Sequence, residues 1–307
     1  MDKLQAMKTF VRVAETGSFS AVAHQANTTQ GAVSKQVSAL ERELGARLLT
    51  RTTRKLSLTE EGERYFAQAR RLLAEIAEAE ATLRQGEQQL SGWLRVAAPV
   101  GLGRMKLMPL VQDFMAAHPA VKIDLRLSDG FVDLVEQGID VAIRIGELPD
   151  SSMVARRIST TWRLLMAHRD YVRRMPPLRH PDDLAQHNCL IYSELATRNA
   201  WSFTAGAGAQ EAAGAVVVVR AEGNLQTNSS EVMRAAILGG MGVGYSPAWL
   251  VDGELASGEV VRLLPDWEAA ALPVNALYPR ERAGSAKVRA FIEHMIQGLD
   301  LKPPRSP

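Results

Sequence analysis

Residues 26–45 read ANTTQGAVSKQVSALERELG, and their spacing decides the fold of the N-terminal part of the chain. Thr29 suits a helix N-cap, because its hydroxyl can accept a hydrogen bond from the first turn of a helix running from Gln30 to about Glu43. Within that helix Val33, Val37, Leu40 and Leu44 fall at i, i+4, i+7 and i+11, one continuous apolar stripe. Gln30, Ser34 and Ser38 fall at i, i+4 and i+8 on a second face, with Gly31, Lys35 and Arg42 beside them. That face is short, polar and partly basic. It suits a recognition helix, which enters the major groove and hydrogen-bonds base edges and phosphates.

Working outward, Leu4, Met7, Val11 and Ala14 predict a first helix, stopped at Gly17. Ser18 is placed to cap a second helix from about Ser20 to Ala26, and Asn27-Thr28 forms the turn before the third. Beyond Gly45, Leu56-Ser57-Leu58 alternates as a strand, and Arg51 to Lys55 reads as a cationic loop before it. A basic wing of this kind reaches the flanking backbone or the minor groove of DNA. The expected contacts to double-stranded DNA are Thr29, Gln30, Gly31, Ser34, Lys35 and Ser38 on the helix, with Arg51 and Arg54 on the wing. A three-helix bundle with a solvated basic loop is the alternative the pattern leaves.

Composition agrees with this division. The net charge of +2 conceals unlike parts: residues 1–58 hold nine Lys and Arg against four Asp and Glu, and residues 59–90 hold four against seven. Residues 91–307 hold 23 of each. A compact basic head is the footprint of phosphate contact. The apolar content of 46% and charged content of 23% are those of an ordinary folded chain. A single cysteine, Cys189, excludes an intrachain disulfide or a multi-cysteine metal site. No signal peptide or membrane span is read, so a cytoplasmic protein with no membrane partner is expected.

The run Phe19-Ser20-Ala21-Val22-Ala23, then Thr29 to Val37 with Leu40-Glu41, resembles the LysR-type transcriptional regulators. So does Leu44-Gly45-Ala46-Arg47-Leu48-Leu49-Thr50-Arg51-Thr52-Thr53-Arg54. Three positions depart from the pattern: Ala26 where a leucine is usual, Gly31 where serine or proline is usual, and Lys35 where arginine is common. The last exchanges a bidentate contact to guanine for a single-point one, so sequence preference is altered.

After the head, Thr59 is placed to cap a long helix whose first turn carries Glu60 and Glu61. Tyr65, Ala69, Leu72, Ile76, Ala79 and Leu83 recur at alternating spacings of four and three, a coiled-coil seam interrupted at Gly86. The same pattern also fits a helix packed on its own protein. The resemblance implies a linker helix pairing antiparallel with that of a second subunit, hence a homodimer or homotetramer.

From Gly92 strands alternate with helices. Strands are expected at Trp93–Ala98, Val121–Leu127, Val141–Ile145, Leu164–Ala167, Cys189–Tyr192, Val216–Val219, Val243–Tyr245 and Asn275–Tyr278. Helices are expected around Leu107–Phe114, over Asp129–Gln137, Ser229–Leu238 and Ala286–Ile296. This body resembles the regulatory half of the same family, itself similar to periplasmic binding proteins; His118-Pro119 and Asp140 to Gly146 are among the matching phrases.

The expected fold class is therefore mixed. A helix-rich winged helix-turn-helix head (1–58) precedes a linker helix (59–90) and a bilobal α/β effector-binding domain (91–307). Lobe I is expected at about 91–161 and 266–300, and lobe II at about 162–265.

Ligands of such folds sit at strand ends, between the lobes. The resemblance implies that Val100, Gly101, Ser128, Arg144, Thr227 and Asn228 line the effector cleft. Arg144 can pair a carboxylate, or can form an ordinary salt bridge to Asp129 or Glu147. The helix start at Asn228-Ser229-Ser230 can take an anion or be simply capped. Trp201 and Phe203 fit either a roof over the cleft or the core. No catalytic motif, metal-ligand spacing or cofactor fingerprint occurs, so no enzyme activity, metal or cofactor is expected. The expected function is sequence-specific control of transcription at an inverted repeat, with a small-molecule effector, compatible with a carboxylate, and RNA polymerase as a further partner. A body serving only protein assembly, or a solute-binding protein, are the rival readings.

Overall fold

Side-chain caps set the three head helices. Asp2, Ser18 and Thr29 each accept a first-turn backbone N–H, fixing α1 (Lys3–Thr16), α2 (Phe19–Gln25) and α3 (Gln30–Leu44). Gly17 and Gly45 end α1 and α3 at φ of 64° and 67°, the left-handed region that favours glycine. The stripe of Val33, Val37 and Leu40 is buried against Phe10, Val22 and Leu48. The computed structural model describes residues 2–51, 56–84, 90–130, 134, 136–148, 152–195, 197–268 and 271–301. These divide into two units, Met1–Gly92 and Trp93–Pro307.

β1 (Leu49–Arg51) pairs antiparallel with β2 (Leu56–Leu58), with Arg51 opposite Leu56. Arg51, expected in a loop, is thus in a strand. Burial of Leu48 and Leu49 starts the strand ahead of the cationic run.

α4 (Glu60–Arg84) follows. Thr59 Oγ1 accepts the Gly62 N–H at 2.9 Å and donates to the Arg47 carbonyl at 2.6 Å, tying the helix start to the head. Tyr65 lies 5.7 Å from Phe10 between ring centroids, and Ala69 is fully buried in the head's core, joined by Phe66 and Leu73. This corrects the seam at its first two positions: Tyr65 and Ala69 serve the chain's own head. A heptad spacing reports an apolar stripe and not whose surface covers it. Leu72 is 41% exposed and Ile76 half-buried. The side chains of Ala79 and Leu83 lie outside the described residues.

The second unit runs β3 (Gly92–Ala98), α5 (Val100–Leu102), a π-turn over Gly103–Leu107, α6 (Met108–Ala117), β4 (Val121–Leu127), β5 (Val141–Ile145) and β6 (Val154–His168). It continues with α7 (Arg169–Arg174), β7 (Cys189–Tyr192), β8 (Ala200–Ala205), β9 (Val216–Arg220), β10 (Leu225–Thr227), α8 (Ser230–Leu238) and β11 (Val243–Pro247). It closes with α9 (Asp252–Ser257), β12 (Val260–Arg262), β13 (Trp267–Glu268), β14 (Ala271–Tyr278) and α10 (Ala286–Gly298). The main sheet has the order β10-β7-β11-β6-β14-β5-β3-β4, with β12 also on β6, and β13-β8-β9 form a small second sheet.

The spine is β6. Its first half pairs with β14, and its second half, from Arg163, pairs with β11 and β12. Only Leu164–Ala167 reads as a strand in the sequence, because Arg156, Arg157, Ser159 and Thr160 leave the first half without an apolar signal. Ala271 stands opposite Trp162, so the outgoing and returning crossings between the two halves of the body lie side by side. β13 pairs antiparallel with β8, Trp267 opposite Ala205 and Glu268 opposite Thr204, just before the return along β14.

Most of the helix expected over Asp129–Gln137 lies outside the described residues. Residues 136–138 form a turn closed by Ile139 N donating to the Leu134 carbonyl at 2.8 Å, with Gly138 at φ 62°. In lobe I, Leu107, Val111 and Phe114 are buried, and Phe114 meets Phe291 of α10 edge-on at 5.3 Å. Trp201 and Phe203 belong to the core of lobe II, where each ring lies 5.3 Å from Tyr245. Cys189 is buried there too, its thiol pushed up to about 11 by burial, which keeps it protonated and inert at neutral pH. Among the described residues no helix is long and apolar enough to cross a membrane.

Candidate nucleic-acid and effector sites

On the head, burial of the Val33, Val37 and Leu40 stripe forces the opposite face of α3 outward. Thr29, Gln30, Gly31, Lys35 and Ser38 are exposed and Ser34 is half-buried. Gln30 Oε1 accepts from Ser20 Oγ at 3.1 Å, so an exposed serine of α2 joins that surface, a residue the helical spacing of α3 alone does not reach. Gln36, on the flank, accepts from Thr9 Oγ1 at 2.7 Å and locks α3 to α1. Arg54 and the side chain of Arg51 lie outside the described residues.

Glu41 performs a second task that spacing does not reveal. Its Oε1 accepts the backbone N–H groups of Leu48 and Leu49 at 2.8 and 3.2 Å, so a carboxylate on α3 fixes the root of β1. Glu41→Ala leaves both N–H groups unsatisfied and is expected to cost on the order of 2 kcal/mol. Urea denaturation of the full chain measures that loss; Glu41→Gln, which keeps an acceptor, is expected to lose about half as much.

In the body, two strand ends and a helix start converge on one carboxylate. Asp129, after β4, accepts the Val100 N–H at 2.8 Å through Oδ1. Its Oδ2 accepts the Ser230 N–H at 2.7 Å and the Ser230 hydroxyl at 2.8 Å. The Ser230 oxygen in turn accepts the Gly101 N–H at 3.1 Å. Lobe I and the start of α8 in lobe II are therefore joined through Asp129. Outside this knot, Arg104 pairs with Glu231 at 3.0 Å and Lys106 with Asp252.

Of the expected cleft residues, Val100 and Gly101 are thus brought directly together with α8. Ser128 stands next in chain to Asp129 and donates its N–H to the Ala98 carbonyl at 3.0 Å. Thr227 accepts from the Ser229 N–H at 3.1 Å, and Asn228 is exposed on the same turn. Arg144 sits at the end of β5, where burial pulls its guanidinium below the ordinary range against the opposing charge of Asp129. Burial and Asp129 push the Tyr192 hydroxyl upward, opposed by Arg163 and Arg144. Of the two readings of the helix start at Asn228-Ser229-Ser230, the structure shows a cap: Ser229 caps α8 at Val232, and the Asp129 carboxylate takes the Ser230 N–H. Asp129 and Ser230 are each read at their own strand end or helix start, but not as partners of each other, because 101 residues separate them.

The bacterial regulatory helix-turn-helix of the lysR family matches residues 4–63, and the LysR substrate binding domain matches residues 87–300. The chain belongs to the LysR-type transcriptional regulators. A transcriptional repressor of Pseudomonas aeruginosa is 37% identical over 297 residues, 97% of this chain and 92% of that protein. The regulator CrgA of Neisseria meningitidis has a solved structure matching with a TM-score of 0.60 at 33% identity, covering 96% of this chain and 98% of that one. Full-length AphB, a virulence activator of Vibrio cholerae, matches with a TM-score of 0.59 at 29% identity, covering 97% and 99%. As a LysR-type regulator the chain has a DNA-binding helix-turn-helix followed by an effector-binding α/β domain.

Proposed function

We propose that this LysR-type regulator acts as a homodimer or homotetramer whose heads read an inverted-repeat operator. Thr29, Gln30, Gly31, Ser34, Lys35 and Ser38 contact bases and adjacent phosphates, and Arg51 and Arg54 contact the flanking backbone. The observation that carries the reading is the exposed polar face of α3 set against its buried apolar stripe. Two small heads on half-sites gain affinity by effective concentration, which is the physical advantage of an oligomer. Leu72, Ile76, Ala79 and Leu83 are the seam positions left for a second subunit once Tyr65 and Ala69 are committed to the head.

In this reading the domain division is a head at 1–58, a linker helix at 59–90 and an effector-binding body from 91. A small-molecule effector binds between the lobes, beside Val100, Gly101, Ser128, Arg144, Thr227 and Asn228. Closing or opening the lobes around it biases the spacing of the heads through the linker helices, a coupling between distinct sites. The reading places the protein in the cytoplasm with its DNA, contacting RNA polymerase from the bound operator and without an enzymatic step.

The test is a gel-shift series over salt on the DNA flanking the gene. Ser34→Ala or Lys35→Ala is expected to weaken binding to the protected repeat by about 1–3 kcal/mol, roughly tenfold to a hundredfold. Arg54→Ala is expected to lower affinity on all sequences alike and to reduce the salt slope by about one. If neither variant changes affinity or slope, the assignment of these residues is lost.

A further inference from the structure

Besides the crossing of β6 and β14, the lobes meet along a set of polar ties made by the chain's own groups. The first is the Asp129 carboxylate, which holds Val100 N–H in lobe I and Ser230 in lobe II. The second is Arg104 of the π-turn, whose fork sits on Glu231 of α8, Nε to Oε1 and Nη2 to Oε2, both at 3.0 Å. The third is Lys106 of the same turn, which pairs with Asp252 at the start of α9.

Residues two apart on a helix point away from each other, so Arg104 and Lys106 grip different elements of lobe II. Arg234 makes those elements move together. Its Nε donates to the Leu250 carbonyl at 3.0 Å and its Nη2 pairs with Glu254 of α9, tying α8 to α9.

Gly101 shows how closely the lobes approach. A Cβ built there would stand 3.0 Å from Ser230 Oγ, 3.5 Å from Ser230 Cβ and 3.4 Å from Leu250 Cδ1, all in lobe II. The residue lies within the helical turn α5, where alanine is the better helix former. Its glycine therefore answers to clearance between the lobes.

The ties are placed to open. Val100, Asp129 and Ser230 are half-buried and Arg104 is exposed, so water can replace each bond as it breaks. An exposed ion pair contributes little by itself. A bidentate fork beside a carboxylate that already holds three donors adds to a closure that forms as one unit.

We propose that these ties form a latch by which the chain closes its own lobes, and that regulation acts by opening it. This rests on the reading that the setting of the lobes biases the spacing of the heads. It assigns the closed state to Asp129, Arg104 and Lys106, with Gly101 giving the clearance, and not to a molecule held between the lobes.

Hydrogen exchange of the full-length protein reads the latch at its own amides, those of Val100, Gly101 and Ser230. Arg104→Glu sets like charges against each other at Glu231, and Gly101→Ala pushes a methyl group towards Ser230. Each is expected to speed exchange at these amides roughly tenfold and to leave Val288–Met295 of α10 and Val243–Tyr245 of β11 unchanged. Arg104→Glu combined with Glu231→Arg restores the pair with its charges exchanged, and is expected to return exchange to within about threefold of the wild type. Unchanged exchange in both single variants overturns the latch, as does an equal rise in α10 and β11, which reports general loosening. No recovery in the exchanged pair removes Arg104 from it.

Gel shifts and footprints on the DNA flanking the gene read the consequence. Arg104→Glu lies outside the DNA-binding head, so a change of about threefold or more in affinity, or a shifted footprint, is expected only if opening the lobes moves the heads. Faster exchange with affinity and footprint unaltered makes the contact structural and overturns its regulatory role. The broader effector reading is decided separately: it survives if a metabolite raises the melting temperature of the wild type, and fails if none does.

Discussion

Asp129→Ala is expected to lower the stability of the body by about 3 kcal/mol, a fall in melting temperature of roughly 6–12 °C. The Asp129 carboxylate accepts from Val100 N–H, Ser230 N–H and Ser230 Oγ, and removing it leaves those donors facing one another. Two of them are backbone groups at helix starts, where no intrahelical acceptor is available. The charge at the start of α8 is lost as well, and with it the favourable interaction with the helix dipole. Asp129→Asn restores an acceptor on one side only, because its amide nitrogen meets a donor on the other, so it is expected to recover less than half the loss. Ser230→Ala removes one hydroxyl from the same knot. The double variant should therefore lose less than the sum of the two singles, a coupling of 0.5 kcal/mol or more by order of magnitude. Calorimetry of the full chain and of the three variants provides the measurement. Additive losses, or no loss for Asp129→Ala, would mean that the contact between the lobes carries no weight.

The consequence for regulation follows from the same geometry. The start of α8 is the natural seat for an anion, yet the chain supplies its own. An effector that entered there would have to displace Asp129 and with it the contacts to Val100 and Ser230. Asp129→Asn is expected to strengthen anion binding at that helix start, because it removes the competing charge.

How much of this was legible depended on sequence distance. The head was read nearly complete, because caps, stripes and glycine stops act within one or two helical turns. Thr29, the Val33, Val37 and Leu40 stripe and Gly45 each do locally what their spacing implies. The body's site was legible only as a set of strand ends. Asp129 meets Ser230 across 101 residues, and nothing in either neighbourhood announces the other. The first half of β6 was invisible for a related reason: it is a run of arginines, serines and threonines with little apolar contrast. The linker helix failed differently. Its periodicity was real, but a stripe does not say which surface covers it, and the head claimed Tyr65 and Ala69 first.

That docking makes Gly62 of the linker helix a close-packed position. The third residue of α4 lies against the backbone of Leu48, and a Cβ built there would stand 1.9 Å from the Leu48 carbonyl oxygen and 2.9 Å from its carbon. Two effects of Gly62→Ala oppose each other. Alanine in place of glycine favours the helix by about 1 kcal/mol. The clash is with main chain, which also receives the Thr59 N–H at 3.0 Å, so no flexible side chain can yield. Either α4 backs away from the head, exposing Ala69 and loosening Tyr65 and Phe66 from Phe10, or the root of β1 moves. Overpacking of this kind typically costs up to about 3 kcal/mol, so the clash prevails and a net loss of about 2 kcal/mol is expected.

Gly31→Ala supplies the control of opposite sign. Its Cβ would meet only Thr29 Oγ1, at 3.9 Å, and the position is exposed on α3, so a gain of about 1 kcal/mol is expected. Urea denaturation followed by helical circular dichroism separates the two, and gel shifts add the functional contrast. Gly62→Ala should weaken operator binding through a misplaced helix docking, whereas any loss in the more stable Gly31→Ala must come from a methyl group facing DNA. A Gly62→Ala protein as stable as the wild type would show that the linker helix does not need this close approach to hold the head.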